Sequence, residues 1–310
     1  MLSVEFDRFG PPEVLEVRDR PEPLPTEDRV RVRVKARTAN VSDVELRRGD
    51  TPERLKNLGL TFPAVLGWDF VGILLDPTPT LPVGSDVAGF VPWLGSEVGR
   101  GTYAEVISVV PQQVAALPPS LDPLRAVVFA MNALTGAQAT DRMGPLEGAN
   151  VLIVGAGGPV GMTAARTAVA SGAQVYVTGS MADEDLAAEG YAGVIPRGTP
   201  EEMAAAARMM APGGMDAVFN AAVAGPGLIH AVKDGGAFVS IHVADENRPE
   251  RGVAIEKVVV QADSDRLPSL LNTSLIDRIR IETMPLGQAR EAHERLEQGD
   301  LRGRKIVLVS

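Results

Sequence analysis

A glycine-rich loop lies near the middle of the chain, between an apolar run and a helix of small residues. Residues 150–180 read NVLIVGAGGPVGMTAARTAVASGAQVYVTGS. A phosphate at a helix N-terminus needs backbone N–H groups and no Cβ in its path. Strand, loop, helix and second strand follow in the order that the G-x-G-x-x-G pattern requires, so we predict a dinucleotide site. Its key positions fall on Ala156, Gly158 and Gly161, and the predicted binding residues of the loop are Ala156, Gly157, Gly158, Pro159, Val160 and Gly161.

The second apolar run ends in Thr178, Gly179 and Ser180, where many dinucleotide sites carry an acid. An acid there would bind both ribose hydroxyls of NAD and repel a 2′-phosphate. Two hydroxyls and a glycine backbone can accept that phosphate, so we expect NADPH as the cofactor, with NADH the less favoured alternative. The acidic run 183–185 opposes a phosphate, and Arg197 is the nearest downstream cation that could fold back toward it.

Composition argues against several classes of protein. The chain has 310 residues, with 30 Lys plus Arg against 40 Asp plus Glu and a net charge of −10. That balance argues against nucleic acid or an anionic membrane as a partner, because both need a basic surface. The absence of cysteine excludes disulfides, thiolate nucleophiles and Cys-ligated zinc. We find no secretory leader and no apolar stretch near the roughly 18 residues of a membrane span, so we expect a cytoplasmic protein.

The pattern of apolar residues changes along the chain and predicts two domains. Residues 1–120 are rich in proline and β-branched residues, and the alternating run Arg29–Lys35 is typical of a strand with one exposed face. From about Pro123, Ala-rich helices alternate with apolar strands, which predicts βαβ units and a parallel sheet. Residues 284–298 predict an amphipathic helix, and Lys305–Val309 a last strand. The predicted parallel strands are Val151–Gly155, Gln174–Thr178, Ala217–Ala221, Ala237–His242 and Val253–Val260, and the helix after the glycine loop spans Pro159–Ser171.

Seven segments in the same order, spread over nearly the whole chain, resemble the medium-chain dehydrogenase/reductase superfamily, and most of all its zinc-free quinone oxidoreductase branch. The resemblance implies an α/β protein. It would combine a GroES-like β-rich catalytic domain, residues 1–122 and 265–310, with a Rossmann domain of doubly wound parallel sheet, residues 123–264. The segments are FDRFGPPEV (6–14), ARTANVSDVELRRG (36–49), FPAVLGWDFVG (62–72), GTYAEV (101–106), ALTGAQA (133–139), the glycine loop, and PLGQAREAHERLEQGDLRGRKIVLV (285–309).

The sequence departs from the zinc enzymes of that superfamily at the metal site. Zinc alcohol dehydrogenases carry Cys where this chain has Asn40, and Gly-His-Glu where it has Gly67-Trp68-Asp69. Tetrahedral zinc needs three protein ligands, of which only Asp69 remains. The four-Cys structural lobe is also missing from the sequence, and His230, His242 and His293 lie in separate predicted elements. We therefore predict no metal.

The resemblance implies catalytic roles for polar residues at the start of the first helix. Asn40 would lie beside the nicotinamide, and Ser42 takes the place of a proton-relay hydroxyl that could hydrogen-bond a substrate oxygen. The alternative for Ser42 is a helix cap, and Asp43 is expected to cap or brace that helix. His242, at the end of a predicted strand, is the third catalytic candidate, against the alternative of a solvated loop histidine.

Further cofactor contacts are predicted away from the glycine loop. Thr135, in the ALTG turn, matches a family threonine that contacts the nicotinamide, although a helix N-cap or a buried hydroxyl would also explain it. In the family, the strand that ends at Asn220 and Ala221 passes beneath the adenosine and the nicotinamide ribose. The next predicted strand adds Ser240 and Ile241 at the same edge of the sheet.

The chemistry follows from what these candidates supply. A reduced nicotinamide supplies hydride, and a site without a Lewis acid suits acceptors that delocalise their own charge. We therefore expect NADPH-dependent reduction of a quinone or an α,β-unsaturated carbonyl (an enone), with the proton from Ser42, His242 or water. Trp68, Trp93 and Tyr103 could line a pocket for such a flat substrate, with core packing as the alternative.

Other interpretations stay open, and a partner is expected. The same fold could serve as an enoyl-thioester reductase, or as a catalytically silent protein that binds NADPH as a sensor or scaffold. Quinone reductases often have a tyrosine after the position of Arg48-Gly49, and this chain lacks it. The apolar run Val253–Val260 predicts an exposed sheet edge and hence a homodimer, joined through strand 253–260.

Overall fold

The computed structural model forms two compact units. Unit 1 comprises Met1–Met131 and Gln261–Ser310, and unit 2 comprises Asn132–Val260. The structure describes residues 1–50, 59–93, 97, 99–179, 190–222, 224–241, 250–271, 274–299, 301 and 303–310. The strands are β1 (Leu2–Phe6), β2 (Glu16–Asp19), β3 (Val30–Ala39), β4 (Ala64–Val65), β5 (Asp69–Leu74), β6 (Asp86–Phe90), β7 (Val106–Val109), β8 (Val114–Ala116), β9 (Asn150–Val154), β10 (Gln174–Gly179), β11 (Gly193–Pro196), β12 (Met215–Asn220), β13 (Val232–Ser240), β14 (Ala254–Lys257), β15 (Arg280–Pro285) and β16 (Arg304–Val309). The α-helices are α1 (Val41–Arg48), α2 (Pro123–Thr140), α3 (Pro159–Ala170), α4 (Pro200–Met210), α5 (Leu267–Leu271) and α6 (Ala289–Gln298).

Unit 1 is built on a sheet with the strand order β15-β16-β3-β5-β6-β8, in which β7 also pairs with β3. The sequence of β3 explains its central place. Val30, Val32 and Val34 are buried while the charged residues between them are not, so the predicted alternation is confirmed over this half. From Ala36 to Ala39 every residue is buried, because this half is covered on both faces. A smaller sheet has the order β2-β1-β4.

The prediction of a single helix over residues 284–298 is wrong at its start. β15 continues to Pro285 in parallel register with β16, a turn of 3-10 helix follows over Leu286–Gln288, and α6 begins only at Ala289. Met284 and Leu286 are buried in the core of unit 1. Strand pairing and the burial of these two side chains override the helical periodicity, as tertiary context often does.

Unit 2 contains a parallel sheet with the strand order β11-β10-β9-β12-β13-β14. Counted along the chain, this is the 3-2-1-4-5-6 order of a dinucleotide-binding fold. On β9, Val151 and Ile153 pack into one apolar cluster, whereas Leu152 and Val154 pack into another. Both faces of the strand are therefore covered, which explains its continuous apolar run. The predicted α/β class with a doubly wound sheet is confirmed.

The edge strand of this sheet is shorter than predicted. A strand was expected over Val253–Val260, but β14 covers Ala254–Lys257 and pairs in parallel with β13. Beyond it, the buried Val258 donates its N–H to the Ser240 carbonyl oxygen at 2.8 Å. Val258 therefore belongs to the interior of the unit. Polar side chains at Glu256 and Lys257 make the edge less apolar than the sequence run indicated.

Helix α2 runs through the segment 133–136 that was expected as a turn. A Cβ at Gly136 would lie 2.3 Å from the Val160 carbonyl oxygen, so glycine at this position lets α2 approach α3 closely. The close approach explains why a glycine stands inside a helix, where it is otherwise unfavourable. Within the part of the chain that the structure describes, no helix combines the length and the apolar character needed to cross a membrane.

Candidate functional site

The glycine loop of unit 2 leads from β9 into α3. Gly155 has a φ of 92°, in the left-handed region that favours glycine, and it makes the turn out of the strand. A Cβ at Gly161 would lie 2.3 Å from the Gly155 carbonyl oxygen, so α3 can pack against the loop only with glycine there. Ala156 is wholly buried and packs in the core of unit 2. Its methyl group supports the loop from behind.

The middle of the loop is open. The atoms nearest to a Cβ at Gly157 or Gly158 would be 3.7 Å away. Gly158 is the N-cap of α3 and Pro159 its first residue, so the partial positive charge of the helix N-terminus lies at this opening. Val160, in the first turn, packs partly against the core. A phosphate can approach the loop backbone here without a steric clash.

The hydroxyl at the end of β10 braces the loop. Thr178 is buried, and its Oγ1 accepts a hydrogen bond from the Gly155 N–H at 3.1 Å. This bond holds the turn at Gly155 and uses a lone pair of the hydroxyl that was predicted to face a 2′-phosphate. Ser180, the second predicted hydroxyl, lies outside the described residues.

Arg197 closes one side of a cavity in front of the loop. It follows β11, and its N–H donates to the Gly179 carbonyl oxygen at 3.0 Å. Its Nη2 is the atom that a Cβ at Gly157 would meet, at 3.7 Å. The cavity has a volume of about 360 Å³ and is lined by Val154, Gly155, Gly157, Gly158, Thr178, Arg197, Gly198, Met203, Ala222 and Ala224. A guanidinium beside an open glycine backbone is an arrangement that suits a phosphate group.

The end of β12 shapes another wall of this cavity. Asn220 is wholly buried, and its Oδ1 accepts from the Ala224 N–H at 3.1 Å and the Ala222 N–H at 3.4 Å. The Ala221 N–H donates to the Val154 carbonyl oxygen at 3.0 Å. The Asn220 side chain therefore holds the backbone of the wall, and its Oδ1 is already engaged.

The remaining candidates of unit 2 are buried or lie outside the described residues. Ser240 is buried and in register with Asn220, and Ile241 packs partly against the core. Thr135 lies well inside α2 and is buried, so the helix-cap alternative is wrong, while the contact with the nicotinamide stays a prediction. His242 lies outside the described residues.

In unit 1, Asn40 caps α1 and is held by two carboxyl groups. Its backbone N–H donates to Asp43 Oδ2 at 2.8 Å, and its side-chain Nδ2 donates to Asp69 Oδ2 at 3.1 Å. The expectation that Asp43 braces this helix is confirmed, since its Oδ1 also accepts from the Gly67 N–H at 2.9 Å. The alternative that Ser42 caps the helix is wrong, because α1 begins at Val41 and its N-cap is Asn40. Ser42 is partly exposed in the first turn.

Burial changes the protonation of both carboxyl groups. Asp43 and Asp69 are wholly buried, and neither forms an ion pair among the described residues. Burial raises the pKa of Asp43 to about 8, and the charge of Asp69 adds to this shift. Burial likewise raises the pKa of Asp69 to about 7, although the N–H groups of Thr38 and Asn40 favour its charged form. Both groups therefore change protonation close to neutral pH.

A buried tyrosine and histidine extend this polar cluster to α6. The Tyr103 hydroxyl lies 3.5 Å from Asp43 Oδ2 and 3.2 Å from His293 Nε2. Burial, together with the charge of Arg47, lowers the pKa of His293 to about 3, so its imidazole is neutral. Tyr103 is wholly buried in the core of unit 1, which confirms packing as its role.

Three aromatic rings cluster around Trp68, the residue before Asp69. Trp68 stacks on Phe90, with ring centroids 6.1 Å apart and an interplanar angle of 23°. The Trp93 ring lies 6.0 Å from that of Trp68 at an angle of 43°. Trp93 is buried, whereas Trp68 is partly exposed and packs against the same core. The three rings pack on one another, and Trp68 immediately precedes Asp69 in the chain.

The residues at the position of the superfamily's catalytic zinc are poorly suited to a metal. Of the three positions that carry zinc ligands in the zinc enzymes, only Asp69 has a side chain that could bind a metal. Each of its carboxylate oxygens already accepts a hydrogen bond, one from the Thr38 N–H at 2.6 Å and the other from Asn40 Nδ2. Across the described residues, no group of three His, Cys, Asp or Glu side chains is placed to hold a metal ion. Any metal at this position would have to displace these N–H donors.

Comparison with known proteins identifies the family. Residues 26–119 match the family model of the alcohol dehydrogenase GroES-like domain. The quinone oxidoreductase from Coxiella burnetii superposes with a TM-score of 0.81 at 27% identity, covering 100% of this chain and 99% of that one. An alcohol dehydrogenase of Geobacillus stearothermophilus is 26% identical over 94% of this chain and 95% of its own length. The chain belongs to the medium-chain dehydrogenase/reductase superfamily.

Within this superfamily the chain is similar to the quinone oxidoreductase branch. A further relative, the trans-enoyl reductase tndF of Aspergillus flavipes, is 31% identical over 56% of this chain and 52% of its own length. These dehydrogenase/reductase relatives imply a nicotinamide cofactor. The residues of unit 2 fit its phosphates, because the loop is open at Gly157 and Gly158, α3 begins there, and Arg197 adds a cation.

Sequence reasoning missed two parts of this dehydrogenase/reductase's polar cluster. The hydrogen bond between Asp69 and Asn40 joins the first residue of β5 to the residue that follows β3, and no local sequence pattern links the two. His293 was dismissed because it lay apart from the other histidines. It stands at the helical spacing of Ala289, Ala292 and Leu296, the buried face of α6, and a polar residue on that face was a usable signal.

The raised pKa of Asp43 predicts a pH-dependent stability for this dehydrogenase/reductase. Because the folded pKa of about 8 exceeds the ordinary value of 3.8, unfolding releases a proton. The contribution of Asp43 to the free energy of unfolding is greatest below its ordinary pKa. It is lost as the pH rises to its pKa in the folded protein. Urea unfolding between about pH 5 and pH 8 should therefore show stability falling with pH, by at most about 1.4 kcal/mol per pH unit and group.

The matched variants are Asp43→Asn and, as a control, Asp86→Asn at an exposed ion pair with Lys35. We expect Asp43→Asn to lower stability at pH 5, since it loses an N–H acceptor, and to flatten the slope, so that its difference from the parent shrinks as the pH rises. Asp86→Asn should leave the slope as in the parent. A parent and an Asp43→Asn variant with the same slope would contradict the assignment.

Proposed function

We propose that this chain transfers hydride from NADPH to a quinone or an enone without a metal ion. One observation carries the proposal: at the positions of the zinc ligands, this chain has side chains that hydrogen-bond to each other. Asn40 and Asp69 are hydrogen-bonded to each other. Asn40 and Trp68 stand at the positions where the zinc enzymes carry a thiolate and an imidazole ligand. An acceptor that spreads its own negative charge over a conjugated system has the least need of a Lewis acid.

The residues of unit 2 would bind the cofactor. The amides at Gly157, Gly158 and the start of α3 would hold the diphosphate, and Arg197 would hold a phosphate on the ribose side. When bound, a reduced nicotinamide supplies the hydride. Arg197 and Thr178 both line the cavity, and of the two only Arg197 carries a positive charge, so we propose that Arg197, more than the end of β10, selects NADPH.

The residues of unit 1 would handle the acceptor and the proton. Asp43 and Asp69 fix the backbone and the amide of Asn40, which we place beside the nicotinamide by resemblance to the family. Hydride transfer leaves an enolate or a hydroquinone anion, which takes a proton to complete the reduction. Ser42, partly exposed in the first turn of α1, His242 and water remain the candidates for that proton.

The direct test follows the loss of NADPH absorbance with purified protein. Benzoquinone and cyclohexenone should each accelerate oxidation over the rate without acceptor. Prior treatment with a chelator should change neither the rate nor the melting temperature. Elemental analysis that finds one zinc per chain, with activity that follows it, would contradict metal-free chemistry. NADPH binding without oxidation by any acceptor would instead support the sensor or scaffold role.

A second candidate is the reduction of an enoyl thioester, which the similarity to a trans-enoyl reductase favours. The same assay separates the two candidates when a pantetheine enoyl thioester is compared with the matching free enone. A rate that needs the thioester's carrier arm would favour the second candidate. Equal rates on the two would favour the first.

The choice between NADPH and NADH tests the proposed role of Arg197. The change Arg197→Gln removes a charged hydrogen bond to phosphate, which we expect to weaken NADPH binding roughly tenfold or more while NADH binding changes little. The variant Gly179→Asp should reverse the preference by repulsion. The control Lys233→Gln removes a cation from the other end of the sheet, where Lys233 pairs with Asp216, and should leave the ratio unchanged. The affinities are measured by fluorescence titration. If the parent binds NADPH and NADH equally well, the assignment of NADPH as the preferred cofactor is wrong.

We also propose a homodimer formed through the edge at β14. Val258→Pro does not test it cleanly, because the Val258 N–H donates within the chain. A better change is Val259→Lys, since the exposed Val259 lies just after β14. Light scattering should show a parent dimer and a Val259→Lys monomer, while the exposed Val83 in unit 1 provides a matched Val→Lys control that stays dimeric. A monomeric parent, or a dimer indifferent to Val259→Lys, would refute this interface.

A further inference from the structure

The chain has few side chains that can attack an electrophilic carbon. It has no cysteine, and its lysines are Lys35, Lys56, Lys233, Lys257 and Lys305, of which Lys56 lies outside the described residues. A thiolate is ordinarily the most reactive nucleophile of a protein, so in this chain that chemistry falls to amines. The amine that reacts first is one that is accessible, uncharged and not engaged by another group.

Lys305 differs from the other lysines that the structure describes. Burial lowers the pKa of Lys305, and no hydrogen bond or charge of a described residue offsets that effect. The uncharged amine is therefore favoured at this position. Each of the other described lysines is engaged, in the ion pairs Lys35–Asp86 at 3.0 Å and Lys233–Asp216 and, for Lys257, in a further interaction.

The sheet of unit 1 fixes the position of Lys305. It lies on β16, between β15 and β3, and pairs in register with Ile281 of β15. Ile306 and Leu308 pack in the core of unit 1, and because side chains alternate along a strand, Lys305 points to the opposite face. Lys305 is partly exposed there, so a small molecule can reach its amine.

The strand register brings Lys305 next to Asn40. β16 runs antiparallel to β3 with Ile306 opposite Ala39, so the next residues along the two strands are Lys305 and Asn40. The proposed function has the residues around Asn40 handle the acceptor. An unsaturated carbonyl compound at Asn40 would therefore come close to the Lys305 amine.

We propose that the side-chain amine of Lys305 is a covalent modification site for α,β-unsaturated carbonyl compounds. This inference rests on the proposed function for the class of compound that comes to unit 1, whereas the addition itself needs neither hydride nor a nucleotide. It makes Lys305 the residue at which the protein is modified by its own proposed substrates.

The addition balances without an oxidant or a reductant. The lone pair of the uncharged amine forms a bond to the β-carbon of the enone, and the electron pair of the C=C bond moves toward the carbonyl oxygen to give an enolate. The nitrogen then loses a proton, and the α-carbon gains one. The product is a secondary amine that carries a saturated ketone, and no atom leaves.

Mass spectrometry of the full chain without any nucleotide tests the site. The protein is incubated near neutral pH with cyclohexenone or with cyclohexanone, which has the carbonyl group but no C=C bond, and is then treated with borohydride and digested. A conjugate adduct keeps the oxygen of the reagent, whereas an imine has lost it as water, so their masses differ. We expect the cyclohexenone adduct to form roughly three- to tenfold faster at Lys305 than at Lys35 or Lys233, whose carboxylate partners must first be displaced. Cyclohexanone should give no adduct that keeps its oxygen.

Two matched variants check the assignment. Lys305→Arg keeps a long cationic side chain and removes the amine nucleophile, so the fastest adduct should disappear. Lys35→Arg makes the same change at the exposed ion pair with Asp86 and should leave that adduct as in the parent. Melting curves show whether each variant is folded. If Lys305→Arg does not fold, the comparison of sites within the parent still decides the question.

The outcomes separate this inference from the proposed function. Cyclohexenone adducts that form no faster at Lys305 than at the other amines of the chain overturn the inference, even if enones oxidise NADPH. Preferential addition at Lys305 supports it. If Lys305 is modified in this way in a protein that never oxidises NADPH, the modification site is real and the proposed reaction is wrong.

Discussion

Two buried carboxyl groups, neither in an ion pair among the described residues, hold the polar centre of unit 1 together. Asp43 accepts from the backbone at Asn40 and at Gly67, and Asp69 accepts from the backbone at Thr38 and from the Asn40 amide. Each of these hydrogen bonds satisfies an N–H donor that would otherwise be buried without a partner. The bonds favour the ionised carboxylates while burial favours the neutral acids, and burial is the larger effect on both. The neighbouring Tyr103 and the neutral His293 connect this centre to α6.

Unit 2 depends on a steric constraint instead. The strand β9, the loop and α3 come so close that Gly161 has no room for a Cβ against the Gly155 carbonyl oxygen. The loop itself is open at Gly157, where the nearest atom to a Cβ would be Arg197 Nη2 at 3.7 Å. One hydroxyl, that of Thr178, ties the loop to β10. A cofactor site of this kind is made of backbone, so its chemistry depends on which side chains are missing as much as on which are present.

The proposed metal-free reaction would rest on hydrogen bonds at the positions where zinc alcohol dehydrogenases carry metal ligands. In place of a cysteine, a histidine and a glutamate, the chain has Asn40, Trp68 and Asp69. Two of these bond to each other, and the third presents a buried N–H with no partner in the described residues. Hydrogen-bond donors in a dry site are weaker than a metal ion but need no charge neutralisation. They suit substrates whose own conjugation stabilises the anion.

The sequence by itself determined the elements whose signal is local. The glycine loop, the alternating half of β3, the continuous apolar strands of the parallel sheet and the family all follow from residue type and spacing, because these patterns reflect the covering of each strand's faces. The sequence could not determine where strand pairing overrides the local preference for helix or strand. β15 continues through Met284 and Pro285 because β16 lies beside it, and β14 ends at Lys257, after which the Val258 N–H makes the last bond to β13 at Ser240. Only the tertiary structure brought Asp69 to Asn40, engaged the hydroxyl of Thr178 and buried the indoles of Trp68 and Trp93 with no hydrogen-bond partner among the described residues. Those contacts join residues distant in the chain, and their energies depend on burial, which no single segment of sequence specifies.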